Sequence, residues 1–170
     1  MEDAYIAEAT ERLFAPLITK TVAPEVVDVH MPIWGVAHNL VLVTINKQYE
    51  GQAFKVAQAF WGAGQMMFNK ALVVFDSDVD LRDYKSLIKR VVNNFVSSNQ
   101  ILLSKGPMDV LDHSTNAMGV GGKICIDCTA QSDIINDRVF SINYLYEKSY
   151  EDVDIDAFVE NNEIIKGCII

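Results

Sequence analysis

The sequence predicts an α/β fold: a single layered domain with a mixed, partly parallel sheet flanked by helices, followed by an acidic C-terminal helical tail. Three observations predict it. The first is the apolar, β-branched run 71–75, of the kind found in a strand buried on both faces. The second is the segment directly after that run. Asp76, Asp78 and Asp80 form an acidic turn, and Leu81, Tyr84, Leu87, Ile88, Val91 and Val92 then recur at helical spacing. Strand, turn and amphipathic helix make half of a parallel crossover, and ligands of α/β proteins sit at the ends of such strands. The third is a pair of apolar segments, 25–31 and 40–45, close enough in sequence to be antiparallel neighbours.

Composition narrows the class. A chain of 170 residues can bury a core of its own, and with 50% hydrophobic and 22% charged residues it is neither disordered nor membrane-spanning. The apolar runs fall well short of the roughly 20 residues that a bilayer span needs. No basic stretch precedes an apolar one at the start, so no secretory signal is expected. The net charge of −9 argues against nucleic acid as a partner, since phosphate binding needs a basic face. Cys125, Cys128 and Cys168 are sparse and odd in number, which suits reduced thiols, and Cys168 stands one place short of a prenylation box. A soluble, cytoplasmic domain is expected.

Taken in order, residues 2–20 read as an amphipathic helix with Ile6, Ala9, Leu13 and Leu17 on one face and charges on much of the other. Pro16 predicts a kink or a restart. Pro24 leads into the alternating strand 25–31, and 40–45 is the next strand. Residues 52–68 continue as a long helical stretch with Ala53, Val56, Ala57, Phe60 and Trp61 on its apolar face. Gly62 and Gly64 predict a break there, or a close approach by another backbone or a flat ligand. After the 71–92 unit, 100–104 reads as a further buried strand, and 105–122 as a long loop of the kind that is usually functional. Two regions result: an α/β domain, 1–130, and an acidic tail, 131–170. Within the tail, 153–165 carries a short helical pattern (Ile155, Phe158, Val159) suited to docking on a partner.

Each motif has a bland reading beside the functional one. Asp76, Asp78 and Asp80 could hold a hard divalent cation. An EF-hand loop would need Gly and Glu where Leu81 and Leu87 stand, and an aspartyl-nucleophile phosphatase would need Thr or Val where Asp80 stands. Asp76-x-Asp78 at a strand end does fit a metal-dependent nucleotide-sugar transferase. The simpler account is that Asp80 caps a helix starting near Leu81 and that its neighbours are solvated. Cys125 and Cys128 have half-site spacing, yet no second pair completes a zinc site, so both are expected as small buried residues. His30, His38 and His113 are scattered and read as structural, with His113, in the loop, the one exception to consider. Gly119, Gly121 and Gly122 before Lys123 look like a phosphate cradle but precede a strand, so neither nucleotide fingerprint is met.

Several stretches in one order carry a family resemblance: AEATERLFAPLI, PEVVDVHMP, VLVTINKQYEGQAFKVAQAFW, NKALVVFDSDVDLRDYKSLI and GPMDVLDHSTNAMGVGGKICIDCT. The K-x-Y-x-G-x-A helix start at 47–53, the D-x-D-V turn and the GGK…D-x-T segment together resemble the C-terminal domain of the UbiD-type decarboxylases, the 3-polyprenyl-4-hydroxybenzoate carboxy-lyase family. The resemblance covers roughly residues 2–129. Full-length members use prenylated FMN, manganese and potassium to remove or add carboxylate on aromatic and α,β-unsaturated acids. Their catalytic residues and metal ligands lie in a preceding central domain.

The resemblance therefore implies a separated lid and oligomerisation domain, an expected homo-oligomer that joins the N-terminal and central decarboxylase domains. Such a chain would have no catalytic residues and no metal site of its own, and would bind none of the cofactors alone. A family position that contacts the cofactor phosphate matches Gly64, beside Gln65, and neither is basic. Met108 matches a region bordering the substrate. Ubiquinone or menaquinone synthesis is the pathway expected by analogy. The alternative reading is the nucleotide-sugar transferase using Asp76 and Asp78, with Asp80 as a third metal ligand.

Overall fold

The computed structural model describes residues 2–36, 39–95, 97–109, 112, 114 and 118–130. The acidic tail with its predicted helix 153–165 and Cys168 lies outside the described residues, as do His38 and His113.

The elements run α1 (Glu2–Thr21), β1 (Val26–His30), β2 (Leu40–Ile45), α2 (Gln52–Trp61), β3 (Ala71–Asp76), α3 (Tyr84–Asn94), β4 (Ile101–Pro107) and β5 (Val120–Asp127). Short 3₁₀ turns stand at Ile33–Gly35, Gly64–Phe68 and Ser98–Gln100. Among the described residues the five strands form one sheet in the order β1-β2-β3-β5-β4. As expected, β1 runs antiparallel to β2, with a bulge between Val26 and Asp28, while β2–β3 and β3–β5 are parallel. This is the mixed α/β sheet the sequence predicts.

The central parallel strands β2 and β3 are mostly apolar because both of their faces are covered. On one face Val41, Val43, Ile45, Leu72, Val74 and Cys125 pack with Ala53, Val56, Ala57 and Phe60 of α2 and with Ala7 and Ile18 of α1. On the other, Leu42, Phe75 and Cys128 pack with Leu81 and with Leu87 of α3. Each large apolar side chain buried here contributes about 1.5–3 kcal/mol, so these two layers supply most of the drive to fold.

Four expectations need correction. The stripe Ile6, Ala9, Leu13 and Leu17 does not face the core: Leu13 is 66% and Leu17 56% exposed. The neighbouring set Ala7, Thr10, Phe14 and Ile18 has the same helical spacing, and it is this set that lies against the sheet. The helix also runs unbroken through Pro16, which is exposed, so no restart occurs. Second, the helix after the acidic turn starts at Tyr84 rather than near Leu81. Its cap is Asp83, which accepts from Ser86 N at 3.2 Å and Ser86 Oγ at 2.6 Å; Asp80 instead accepts from Arg82 N at 2.9 Å in a local turn.

Third, β4 is an edge strand, not a buried one, and Leu103 is 73% exposed. Fourth, the stretch 105–122 is loop only in its middle. The β4–β5 ladder reaches Pro107↔Val120, and Gly106, Gly121 and Gly122 within it hide the strand alternation. The helical stretch 52–68 does break, as the glycines predict: α2 ends at Trp61 and Gly64 takes a φ of +50°.

The other sheet edge, β1, is closed by carboxylates. Val29 N donates to its neighbour Asp28 Oδ1 at 2.9 Å, and Met31 N donates to Glu11 Oε2 at 2.9 Å. Glu11 reaches round the edge from α1, also meets His30 Nδ1 at 3.1 Å, and accepts from Arg82 Nη2 at 2.9 Å. Arg82 Nη1 donates to Asp28 Oδ2 at 2.6 Å, and His30 Nε2 lies 3.1 Å from Tyr84 Oη. One clasp thus joins α1, β1 and the start of α3 and occupies the Val29 and Met31 amides at this edge. We expect Glu11→Ala to cost about 2 kcal/mol in urea unfolding, because it orphans the Met31 amide and leaves Arg82 with Asp28 as its one remaining carboxylate in the clasp. Glu8→Ala removes only an exposed pair with Arg12 and should cost under about 0.5 kcal/mol.

Candidate functional site

The carboxyl ends of β2, β3 and β5 lie side by side, and three loops meet there, the place where an open α/β sheet presents a ligand site. All three acidic-turn residues are in it or beside it. Asp76 Oδ2 accepts from Ala130 N at 2.8 Å and stands 3.7 Å from Arg90 Nη1, while Arg90 Nη2 donates to Asp78. Lys47, from the loop after β2, donates to Ala130 O at 2.8 Å and to Glu50 Oε2 at 3.0 Å. Asp127 Oδ1, nearly fully buried, accepts from Thr129 N at 3.0 Å and Thr129 Oγ1 at 2.6 Å, which fixes the turn after β5. Burial pushes the Asp76 carboxyl above its ordinary range, against the Ala130 amide and Arg90, which pull it down.

The three aspartates therefore serve different partners: Asp76 the β5 turn, Asp78 the α3 arginine, Asp80 its own loop. Among the described residues no three His, Cys, Asp or Glu side chains gather closely enough to hold a metal. Cys125 and Cys128 are buried, as expected, and contribute to separate apolar clusters. Burial raises both thiols, Cys128 to about 12, so neither is a ready nucleophile.

The remaining predicted site residues lie elsewhere. Gly64 is exposed with φ +50°, and a Cβ built on it would stand 3.1 Å from Phe14 Cε1, so the closeness its glycine signals is to α1. Gln65 beside it is exposed. The cation serving this segment is Lys123, whose Nζ donates to Met67 O and Asn69 O at 2.6 Å each and lies 5.9 Å from the Trp61 ring centroid. Its burial lowers the ammonium pKa to about 8. Met108 is buried, its N donates to Gly119 O at 3.0 Å, and a Cβ at Gly121 would lie 2.7 Å from its Cγ. Gly106 and Gly121 are thus spaces for long side chains, and Gly121 and Gly122 before Lys123 lie in the β4–β5 ladder.

Two groupings were not legible in the sequence. One is the Glu11–His30–Arg82–Tyr84 clasp, which borders an open groove of about 570 Å³ lined in part by Tyr5, Arg12, Met31 and Ile33. The other is Lys70–Asp112: Lys70 Nζ donates to Asp112 Oδ2 at 2.8 Å and also to Ser114, tying the 108–119 connection to the start of β3.

Lys70 and Ser114 hold the Asp112 carboxyl at about 2, below the usual 3.8. A carboxylate depressed in the folded state stabilises above its unfolded pKa and loses that contribution as pH falls. We therefore expect about 1–2 kcal/mol, partly screened by solvent, to disappear between pH ~4 and ~2. Urea midpoints followed over that range should fall more steeply for the native chain than for Asp112→Asn.

With this geometry in hand, comparison with known proteins places the fold. Residues 4–128 match the 3-octaprenyl-4-hydroxybenzoate carboxy-lyase C-terminal domain. A protein of Aquifex aeolicus is 48% identical over 130 residues, 76% of this chain and 26% of its own length. A protein of Archaeoglobus fulgidus is 41% identical over 130 residues, 76% of this chain and 27% of its own length. The chain thus spans about a quarter of the curated relatives it matches. Among solved structures, vanillic acid decarboxylase from Sedimentibacter hydroxybenzoicus in its closed form superposes with a TM-score of 0.67 at 25% identity, covering 75% of this chain and 27% of that one. The UbiD-class enzyme HmfF from Pelotomaculum thermopropionicum, in complex with FMN, does so at 0.65 and 24% identity, covering 85% and 32%, and shows the shared fold. The parallel β2-β3-β5 core, the tied acidic turn and the glycine-bearing β4–β5 hairpin all fall inside the matched 4–128 span, and the chain belongs to the UbiD C-terminal domain family.

Proposed function

We propose that this chain is the C-terminal lid and oligomerisation domain of a UbiD-like decarboxylase and does not catalyse by itself. The parent activity is loss of carboxylate from aromatic or polyprenyl-hydroxybenzoate-type acids, as in quinone synthesis, with prenylated FMN and a divalent metal supplied by the upstream domains, in a cytoplasmic protein. The observation that carries this reading is the family match over 4–128 in a chain that spans about a quarter of its relatives' length. The residues agree with it. The acidic turn is spent on Ala130, Arg90 and Arg82, and the thiols stay protonated. No described helix is long and apolar enough to cross a membrane.

The residues at Gly64 fit a cofactor phosphate poorly. Gly64 offers no side chain, a side chain there would be strained and would crowd Phe14, and Lys123 is committed to two carbonyls. On this reading any contact with the cofactor from this segment falls to the amide of Gln65. Met108, turned inward over Gly121, shapes the loop that borders the substrate.

The test is flavin retention and CO₂ release. The chain alone, passed over gel filtration with prenylated FMN and manganese, should retain neither flavin nor metal and should release no CO₂ from aromatic acids. Mixing it with the upstream three-quarters of the Aquifex aeolicus relative should raise decarboxylation above that of the upstream portion alone. Tight manganese binding by the isolated chain, lost in Asp78→Ala, would overturn the proposal.

A further inference from the structure

We propose that the outward stripe of α1 is a self-association surface, on which α1 of a second copy packs antiparallel about a two-fold axis near residue 11. The inference rests on the oligomerisation reading above and assigns it a face. Positions 2, 6, 9, 13, 16 and 20 of α1 are spaced alternately four and three, the seam of one helix lying on another at a shallow angle. Ile6 is 40% and Leu13 66% exposed, and the seam is flanked by Tyr5 at 66% and Leu17 at 56%. The sheet-facing stripe of the same helix is already used, so these apolar side chains contribute nothing to the described core. A long helix that is apolar on both sides is expected to be buried on both.

What selects a second copy is the symmetry of the seam. About residue 11, Glu2 faces Lys20, Ile6 faces Pro16 and Ala9 faces Leu13, while Tyr5 and Leu17 flank the seam on opposite sides. Opposite charges meet at both ends, and a small residue meets a large one at the centre, as a two-fold isologous contact requires. A parallel arrangement would set Glu2 on Glu2, Lys20 on Lys20 and Ala9 on Ala9, with repulsion at the ends and a gap in the middle. The exposed Glu8–Arg12 pair, at 2.6 Å, runs beside the seam and places Glu8 of one copy near Arg12 of the other. An unrelated partner would have no need of this internal match.

The experiment is sedimentation equilibrium on the full chain and two variants, with circular dichroism to confirm folding. The native chain should dimerise. Leu13→Glu, which introduces two charges at the centre of a two-fold contact, should raise the dissociation constant about 100-fold or more. Ile88→Glu, an equally exposed change on α3, should leave it unaltered. Orientation is read from disulfides: in a Cys168→Ser background, mixed Ala9→Cys and Leu13→Cys chains should cross-link to each other and not like with like. A dimer that survives Leu13→Glu overturns this face and leaves oligomerisation standing. Like-with-like cross-links overturn the antiparallel pairing. A native chain that stays monomeric, while Leu13→Glu blocks its union with the upstream portion, gives the stripe to that contact and overturns self-pairing.

Discussion

The rest of the molecule depends on the burial of β3 between β2 and β5 in parallel register. A parallel strand must be covered on both faces, and its neighbours must return by crossovers. This fixes α2 on one side and α3 on the other, and brings the loops after Ile45, Asp76 and Asp127 to one end. The polar links at that end, Lys47 to Ala130 and Ala130 to Asp76, close an arrangement that the apolar layers have already set.

Polar side chains then finish what the core leaves open. Lys123, part of β5, supplies donors to the Met67 and Asn69 carbonyls at the end of the Gly64–Phe68 turn. Glu11 and Arg82 close the edge at β1, and Lys70 with Asp112 anchors the connection between β4 and β5. None of these groups is arranged as a nucleophile with its base. They position loops.

Much of this was legible in the sequence wherever local period decides the outcome. The apolar run 71–75, the β1–β2 pair and the helical spacing after the acidic turn gave their elements within a few residues. Where two local readings compete, the choice stayed open: α1 carries two apolar stripes, and Asp80 and Asp83 are both good caps. Exposure of β4 depends on sheet order, which its own residues do not encode, and the glycines of β5 erase the alternation. The Glu11–His30–Arg82 clasp joins positions 19 and 71 residues apart, so no spacing rule could find it. The family resemblance, by contrast, was readable because it rests on the order of several motifs and on no single one.

The β4–β5 hairpin has a consequence for how this sequence can change over time. A methyl group at Gly106 would lie 2.8 Å from Lys123 Cε, and one at Gly121 would lie 2.7 Å from Met108 Cγ. Each glycine is therefore the negative of a long side chain on the opposite strand or its extension. Drift at either is admissible only if its counterpart shortens or turns away, so Gly106 is tied to Lys123 and Gly121 to Met108 as heritable pairs. Lineages that lose one member should carry a compensating change at the other, which makes these four positions a record of the hairpin's history.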